Sequence, residues 1–137
     1  MGLDQNLFKF NKRTDNKKIN CIEEHNNNNN TEIKYWRKAN QIHSWMNKNI
    51  SPIDNCEFYY ISKEQLQSLL DTCIEVNTRK DIDYNNKNLP TSQGFFFGSD
   101  EYDDWYYNEV EQTIEALQKI IEETDFNNEE IYYWAWW

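Results

Sequence analysis

The sequence has little glycine and no long apolar run, and each shortage excludes a class of protein. Three glycines in 137 residues leave almost no room for a glycine-rich loop that holds phosphates. The longest apolar runs are a few residues, far short of the roughly 20 that cross a membrane. Three cysteines, an odd and widely spaced set, favour reduced thiols in a cytoplasm over a disulfide framework. The first ten residues lack the basic start and apolar stretch of a secretory signal, so none is predicted.

Aromatic side chains compensate for the low apolar content. The chain is 38 % apolar and 28 % charged, with a mean hydropathy of -1.04, which is polar for a folded domain. Its 7 Phe, 9 Tyr and 6 Trp nevertheless make up 16 %, and each ring can bury a large area. The length then predicts one compact domain over residues 1–137 with a ring-rich core.

Negative charge is concentrated in the last third of the chain. Residues 1–90 carry 13 Lys and Arg against 12 Asp and Glu, whereas residues 91–137 carry one Lys against 12 acids. Such a block repels phosphates and attracts basic surfaces. Direct binding to nucleic acid is therefore disfavoured, and a protein with a basic surface is the favoured partner.

Apolar periodicity divides the chain into three strands and three helices. The predicted strands are residues 2–10, 57–61 and 130–137, and the predicted helices are residues 31–50, 62–77 and 99–123. An Asn-rich stretch at 11–30 and a second polar stretch at 78–93 predict loose loops. The fold class is α+β, with about three helices packed on one face of a small, mainly antiparallel sheet. The first and last strands are expected to be neighbours.

The best-specified junction lies at Ser62. Ser62 and Gln65 are spaced as a capping box, and Ile61 and Leu66 flank them as a hydrophobic staple.

The third predicted helix has an apolar face and an acidic one. At 100° per residue, one set of acids falls in a single sector away from the apolar stripe. That set is Asp100, Asp104, Glu111, Glu115 and Glu122. Over about 36 Å this helix would carry nine acids, and a nucleic-acid strand carries about ten phosphates over that length. The acids nearest its start are expected to complement the helix dipole rather than to hold a metal.

Catalytic and metal-binding residues are sparse. His43 could act as a base for Cys56 or Cys73, but a packed core histidine is the favoured interpretation. Cys21 and His25 have the spacing of half a zinc site, yet no C-x2-C pair completes it. We therefore predict no cofactor, no metal and no enzyme activity.

Aromatic clusters offer further contact residues. Phe96 lies in a Gly-Phe-Phe-Phe-Gly segment, either threaded between layers or displayed for docking. Trp134 and Trp136 belong to a final strand with large rings on both faces. Either both faces are covered within the fold, or one of them is a binding surface.

Several motifs resemble a widespread family of small, uncharacterised phage and prophage proteins. They are MGLD at the start, YWRKANQIHSW from Tyr35, YYISKEQL from Tyr59, LPT from Leu89, FFFGS from Phe95 and IYY from Ile131. The resemblance implies a phage genome and expression in a bacterial cytoplasm. It brings no catalytic residues to carry over.

Three functions follow from these observations. The favoured one is a phage-encoded acidic protein that inhibits a host defence nuclease of the CRISPR type, by nucleic-acid mimicry through the acidic helix. The alternative is a small phosphate- or nucleotide-binding protein or enzyme, with a site around Tyr35, Arg37 and His43. The second alternative is a structural homo-oligomer joined through the final aromatic strand.

Overall fold

The computed structural model describes residues 2–12, 30–93 and 99–137. These residues form four strands and four helices, an α+β arrangement. In chain order the elements are β1 (Asp4–Asn11), β2 (Asn30–Arg37), α1 (Asn40–Asn49), β3 (Phe58–Ile61), α2 (Lys63–Arg79), α3 (Ile82–Asn88), α4 (Asp104–Glu123) and β4 (Glu129–Trp136). None of these helices is long and apolar enough to span a bilayer.

The four strands form one antiparallel sheet in the order β2-β1-β4-β3. Strand β1 lies between β2 and β4, and Leu7 of β1 stands opposite Tyr133 of β4. The expected pairing of the first and last strands is therefore confirmed. A bulge in the β1–β2 ladder falls between Leu7 and Phe8.

The two faces of the sheet differ because side chains alternate along each strand. Ile131, Tyr133 and Ala135 of β4 are fully buried and belong to the core that the helices share. The opposite face carries aromatic rings in mutual contact, here called the outer ring cluster. Its members are Phe8, Phe10, Phe58, Tyr60, Tyr132 and Trp134. Aromatic side chains on both sides of the last strand are thus divided between the core and this cluster.

The predicted helix over residues 31–50 is wrong in its first part. Residues Asn30–Arg37 form strand β2, and the helix begins only at Asn40. The spacing of three between Ile33 and Trp36 is typical of a helix, but the ladder with β1 determines the outcome. Lys38 then takes a left-handed conformation with φ 57° and donates its backbone N–H to Leu3 O at 2.6 Å. This turn separates the strand from the helix.

Two further boundaries differ from expectation. Residues Ile82–Asn88, within the predicted loop at 78–93, form helix α3 because the side chain of Asp81 caps it through the N–H of Asp83. Helix α4 begins at Asp104 rather than Ser99, because the Asp103 side chain accepts from the N–H of Tyr106 at 3.0 Å.

Most of the predicted 11–30 loop lies outside the described residues, as does Phe96.

The capping box at the start of α2 is confirmed. Ser62 Oγ accepts from the N–H of Gln65 at 3.1 Å, and Gln65 Oε1 accepts from the N–H of Ser62 at 2.9 Å. Ile61 and Leu66, the predicted staple pair, are both fully buried. Helix α2 packs along α4, so the hydrogen bonds that fix the start of α2 also support the position of α4.

Replacing Ser62 with alanine is expected to lower the free energy of unfolding by about 1 kcal/mol, because one orphan N–H of α2 loses its acceptor. Urea unfolding measures the change. Ser68→Ala, at an exposed position of the same helix, is the control and is expected to stay within about 0.5 kcal/mol of the parent. Equal effects of the two substitutions would contradict the capping assignment.

Candidate functional site

The solvent side of α4 carries four carboxylates in one line. Asp104, Glu111, Glu115 and Glu122 are all exposed, and at 100° per residue they fall within about 40°. We call these four residues the acidic face. The buried side of the helix is formed by Tyr106, Val110, Thr113, Leu117 and Ile120. Asp100, predicted as a fifth member, is exposed but precedes the helix and accepts from Gln93 Nε2 at 2.8 Å.

The carboxylates of the acidic face form no ion pair within the described part of the chain. The ion pairs found there join Lys9 to Glu129 at 3.9 Å and Arg79 to Glu75 at 2.8 Å, away from the acidic face. Helix α4 also has acids at its start and no base in its last turn. Its charge is therefore displayed to solvent.

Trp134 and Trp136 of the last strand lie on the outer side of the sheet. Trp136 is 56 % exposed. Trp134 is half-buried, with its ring centroid 6.3 Å from that of Phe8 and 6.5 Å from that of Phe58. The predicted role of these tryptophans in partner binding or homo-oligomers stays a prediction.

Tyr35 and Arg37 line a cleft at the β2 edge of the sheet. The cleft has a volume of about 590 Å³ and lies between the end of β2 and one side of α4. The α4 side contributes Trp105, Glu109 and Gln112. We call this the edge cleft. Sequence reasoning missed Trp105 and Glu109, although their positions on the α4 wheel, between the apolar stripe and the acidic face, were a usable signal.

His43 does not line the edge cleft, so the structure does not bring it together with Tyr35 and Arg37 there. It is 3 % exposed, and its Nδ1 lies 2.9 Å from the Tyr133 hydroxyl. Burial lowers the pKa of His43 to about 4, so the ring is neutral at pH 7. This is the packed core histidine that the apolar helix pattern favoured.

The nucleophile and metal alternatives find little support among the described residues. Cys73 is fully buried, and burial raises the pKa of its thiol to about 12, which keeps it protonated. No group of three metal-ligating side chains occurs in residues 2–12, 30–93 and 99–137. Cys21 and His25 lie outside those ranges.

Comparison with protein-family models, with curated proteins and with solved structures finds no match to this chain.

Proposed function

We propose that this chain is a binding protein that docks its acidic face on a basic surface of a protein partner in the bacterial cytoplasm. A host defence nuclease of the CRISPR type is the partner we favour, since its nucleic-acid channel is basic. The observation that carries the proposal is the line of four exposed carboxylates on α4, none of them in an ion pair within the described residues.

The geometry favours docking by charge complementarity over full replacement of a nucleic-acid strand. Helix α4 contains six acids and one lysine, fewer than the nine acids expected from the longer predicted helix. Asp104 and Glu122 are 18 residues apart, or about 27 Å along the helix. A strand carries about eight phosphates over that distance, twice the number of carboxylates in the line. The acidic face therefore matches a basic groove in sign and length but only partly in charge density.

A shallow cleft beside the acidic face suits an incoming basic side chain. It measures about 500 Å³ and includes Asp104, Glu111 and Tyr107. Lys80 Nζ lies 5.5 Å from the centroid of the Tyr107 ring, a cation–π contact within this chain. Lys80 lines the cleft as well, and a lysine or arginine of the partner would meet the carboxylates of Asp104 and Glu111 beside it.

The double reversal Glu111→Lys with Glu115→Lys tests the proposal. Purified chain is immobilised, exposed to lysate of a bacterial host, and the captured proteins are identified and purified. Binding of the purified partner is then measured between 50 and 300 mM salt. We expect the reversal to weaken binding at least tenfold, and binding by the parent to weaken steeply with salt.

The matched control reverses two exposed acids of α2, Glu64→Lys with Asp71→Lys. It changes the net charge by the same amount but leaves the acidic face intact, so binding is expected to stay within about threefold of the parent. Equal losses in both double variants would show that only overall charge matters. Binding indifferent to the α4 reversal would overturn the proposal.

A further inference from the structure

The edge cleft has the size and composition of a small-molecule site. Ligand sites measure about 300–1,000 Å³, and the edge cleft measures about 590 Å³. One wall is the end of β2, with the following Lys38. The other wall is three α4 residues at spacings of four and three, which share one side of the helix. Both walls are regular elements, so the cleft is preformed.

The cleft has two cations in a strongly acidic molecule. Arg37 and Lys38 line it, against the single carboxylate of Glu109, while the whole chain has a formal charge of -10. Neither cation forms an ion pair within the described residues. Asp4, which stands opposite Arg37 in the sheet, instead accepts a hydrogen bond from the Tyr35 hydroxyl. The guanidinium therefore keeps its donors for an anionic group.

Two aromatic rings of the cleft are open to solvent. Tyr35 is 48 % exposed and Trp105 is 37 % exposed. Trp36, which also lines the cleft, is fully buried, and its indole N–H donates to Thr113 Oγ1 at 2.8 Å. This bond ties β2 to α4 and fixes the separation of the two walls. Exposed rings held on a rigid frame are suited to stacking on a planar heterocycle.

Glu109 supplies a hydrogen-bond acceptor to the same cleft. Its side chain is half-buried, and burial raises its pKa. Burial also lowers the pKa of the nearby Lys34, whose Nζ lies 5.5 Å from the centroid of the Trp36 ring. The attraction between these two charges partly offsets both shifts, and the Glu109 carboxyl oxygens can accept from a hydroxyl or an amino group.

We propose that the edge cleft binds a nucleoside 5′-monophosphate, with the phosphate on Arg37 and Lys38, the base against Trp105 and Tyr35, and Glu109 accepting from the sugar or the base. A free mononucleotide is the ligand, because the surrounding negative charge repels a longer polyanion. This inference rests on the edge cleft and is independent of the acidic face.

Calorimetric titration with 5′-AMP, 5′-GMP, 5′-CMP and 5′-UMP tests the proposal. We expect saturable binding of at least one of them below 1 mM. Adenosine or guanosine without phosphate, and inorganic phosphate alone, are expected to bind at least tenfold more weakly than the best monophosphate. A 5′-phosphorylated hexanucleotide is expected to bind more weakly as well. Its tighter binding would overturn the assignment to a free mononucleotide.

Two variants locate the binding in the edge cleft. Arg37→Ala and Trp105→Ala, both at exposed positions, are each expected to weaken binding at least tenfold. Arg79→Ala removes an arginine from α2 and Tyr60→Ala removes an exposed ring from the opposite edge of the sheet, and both are expected to leave binding within twofold. Urea unfolding of all four variants confirms that each is folded. No saturable binding of any monophosphate, or binding unchanged in both cleft variants, would overturn the proposal.

Discussion

Replacing Tyr133 with phenylalanine is expected to lower the free energy of unfolding by about 2–4 kcal/mol, although the substitution removes a single oxygen atom. Tyr133 is fully buried at the centre of the sheet. Gln5 Nε2 donates to its hydroxyl oxygen at 3.0 Å, and His43 Nδ1 lies 2.9 Å from the same oxygen. Because His43 is neutral, its Nδ1 can accept from the phenol in one tautomer and donate to it in the other, and the oxygen is its partner in both. The oxygen thus joins β1, β4 and α1.

The size of the effect follows from the groups left behind. Without the oxygen, one N–H of Gln5 and the Nδ1 of His43 each lose this partner inside the core. Each such group costs about 1–3 kcal/mol when it is left buried and unsatisfied. Gln5 retains its bonds to the backbone of Ala39, at 2.9 Å in both directions, so the entry to α1 is preserved.

Tyr60→Phe is the matched control, since Tyr60 lies on β3 and is 51 % exposed. The same chemical change there is expected to alter the free energy of unfolding by no more than about 0.5 kcal/mol. Urea denaturation at pH 7 measures both variants. A Tyr133→Phe variant as stable as Tyr60→Phe would show that the buried hydrogen-bond chain contributes nothing to stability.

Acidification from pH 7 to about 4 is expected to remove about 3 kcal/mol of stability through His43 alone. The pKa of the ring is about 4 in the fold and 6.5 in the unfolded chain. Between these values the His43 ring is protonated in the unfolded chain but neutral in the native state, so the free energy of unfolding decreases as the pH falls. The contribution is fully present above pH 6.5 and is lost as the pH falls towards 4.

His43→Gln separates this effect from the many carboxylates that also titrate in acid. Glutamine can accept from the Tyr133 hydroxyl but does not ionise in this range. Urea midpoints at half-unit steps from pH 7 to 4 should therefore fall more steeply for the parent than for the variant. Parallel curves would contradict the buried, neutral state of His43.

Apart from the pairing of the first and last strands, the features that the sequence predicts correctly are determined by neighbouring residues. The capping box at Ser62 needs only a four-residue spacing, and the structure contains both of its hydrogen bonds. Strand β2 was mistaken for a helix because Ile33 and Trp36 fit a helical spacing over one turn. What selects the strand is its ladder with β1, a contact between distant parts of the chain that no local pattern encodes.

The acidic face and the edge cleft also differ in whether neighbouring residues determine them. The acidic face is visible in the sequence because a helix of 20 residues fixes where each carboxylate points. The edge cleft brings Arg37 to Trp105 through packing of β2 on α4, which periodicity does not predict. His43 follows Arg37 closely in sequence, yet α1 turns it into the core towards Tyr133.

The sheet order has a consequence for biosynthesis. The two inner strands, β1 and β4, are joined across 128 sequence positions, as the contact between Gln5 and Tyr133 illustrates. Translation adds about 5–20 residues per second, so at least several seconds separate the synthesis of β1 from the synthesis of β4. Until β4 emerges from the ribosome, the nascent chain exposes one open edge of β1, a natural substrate for chaperones.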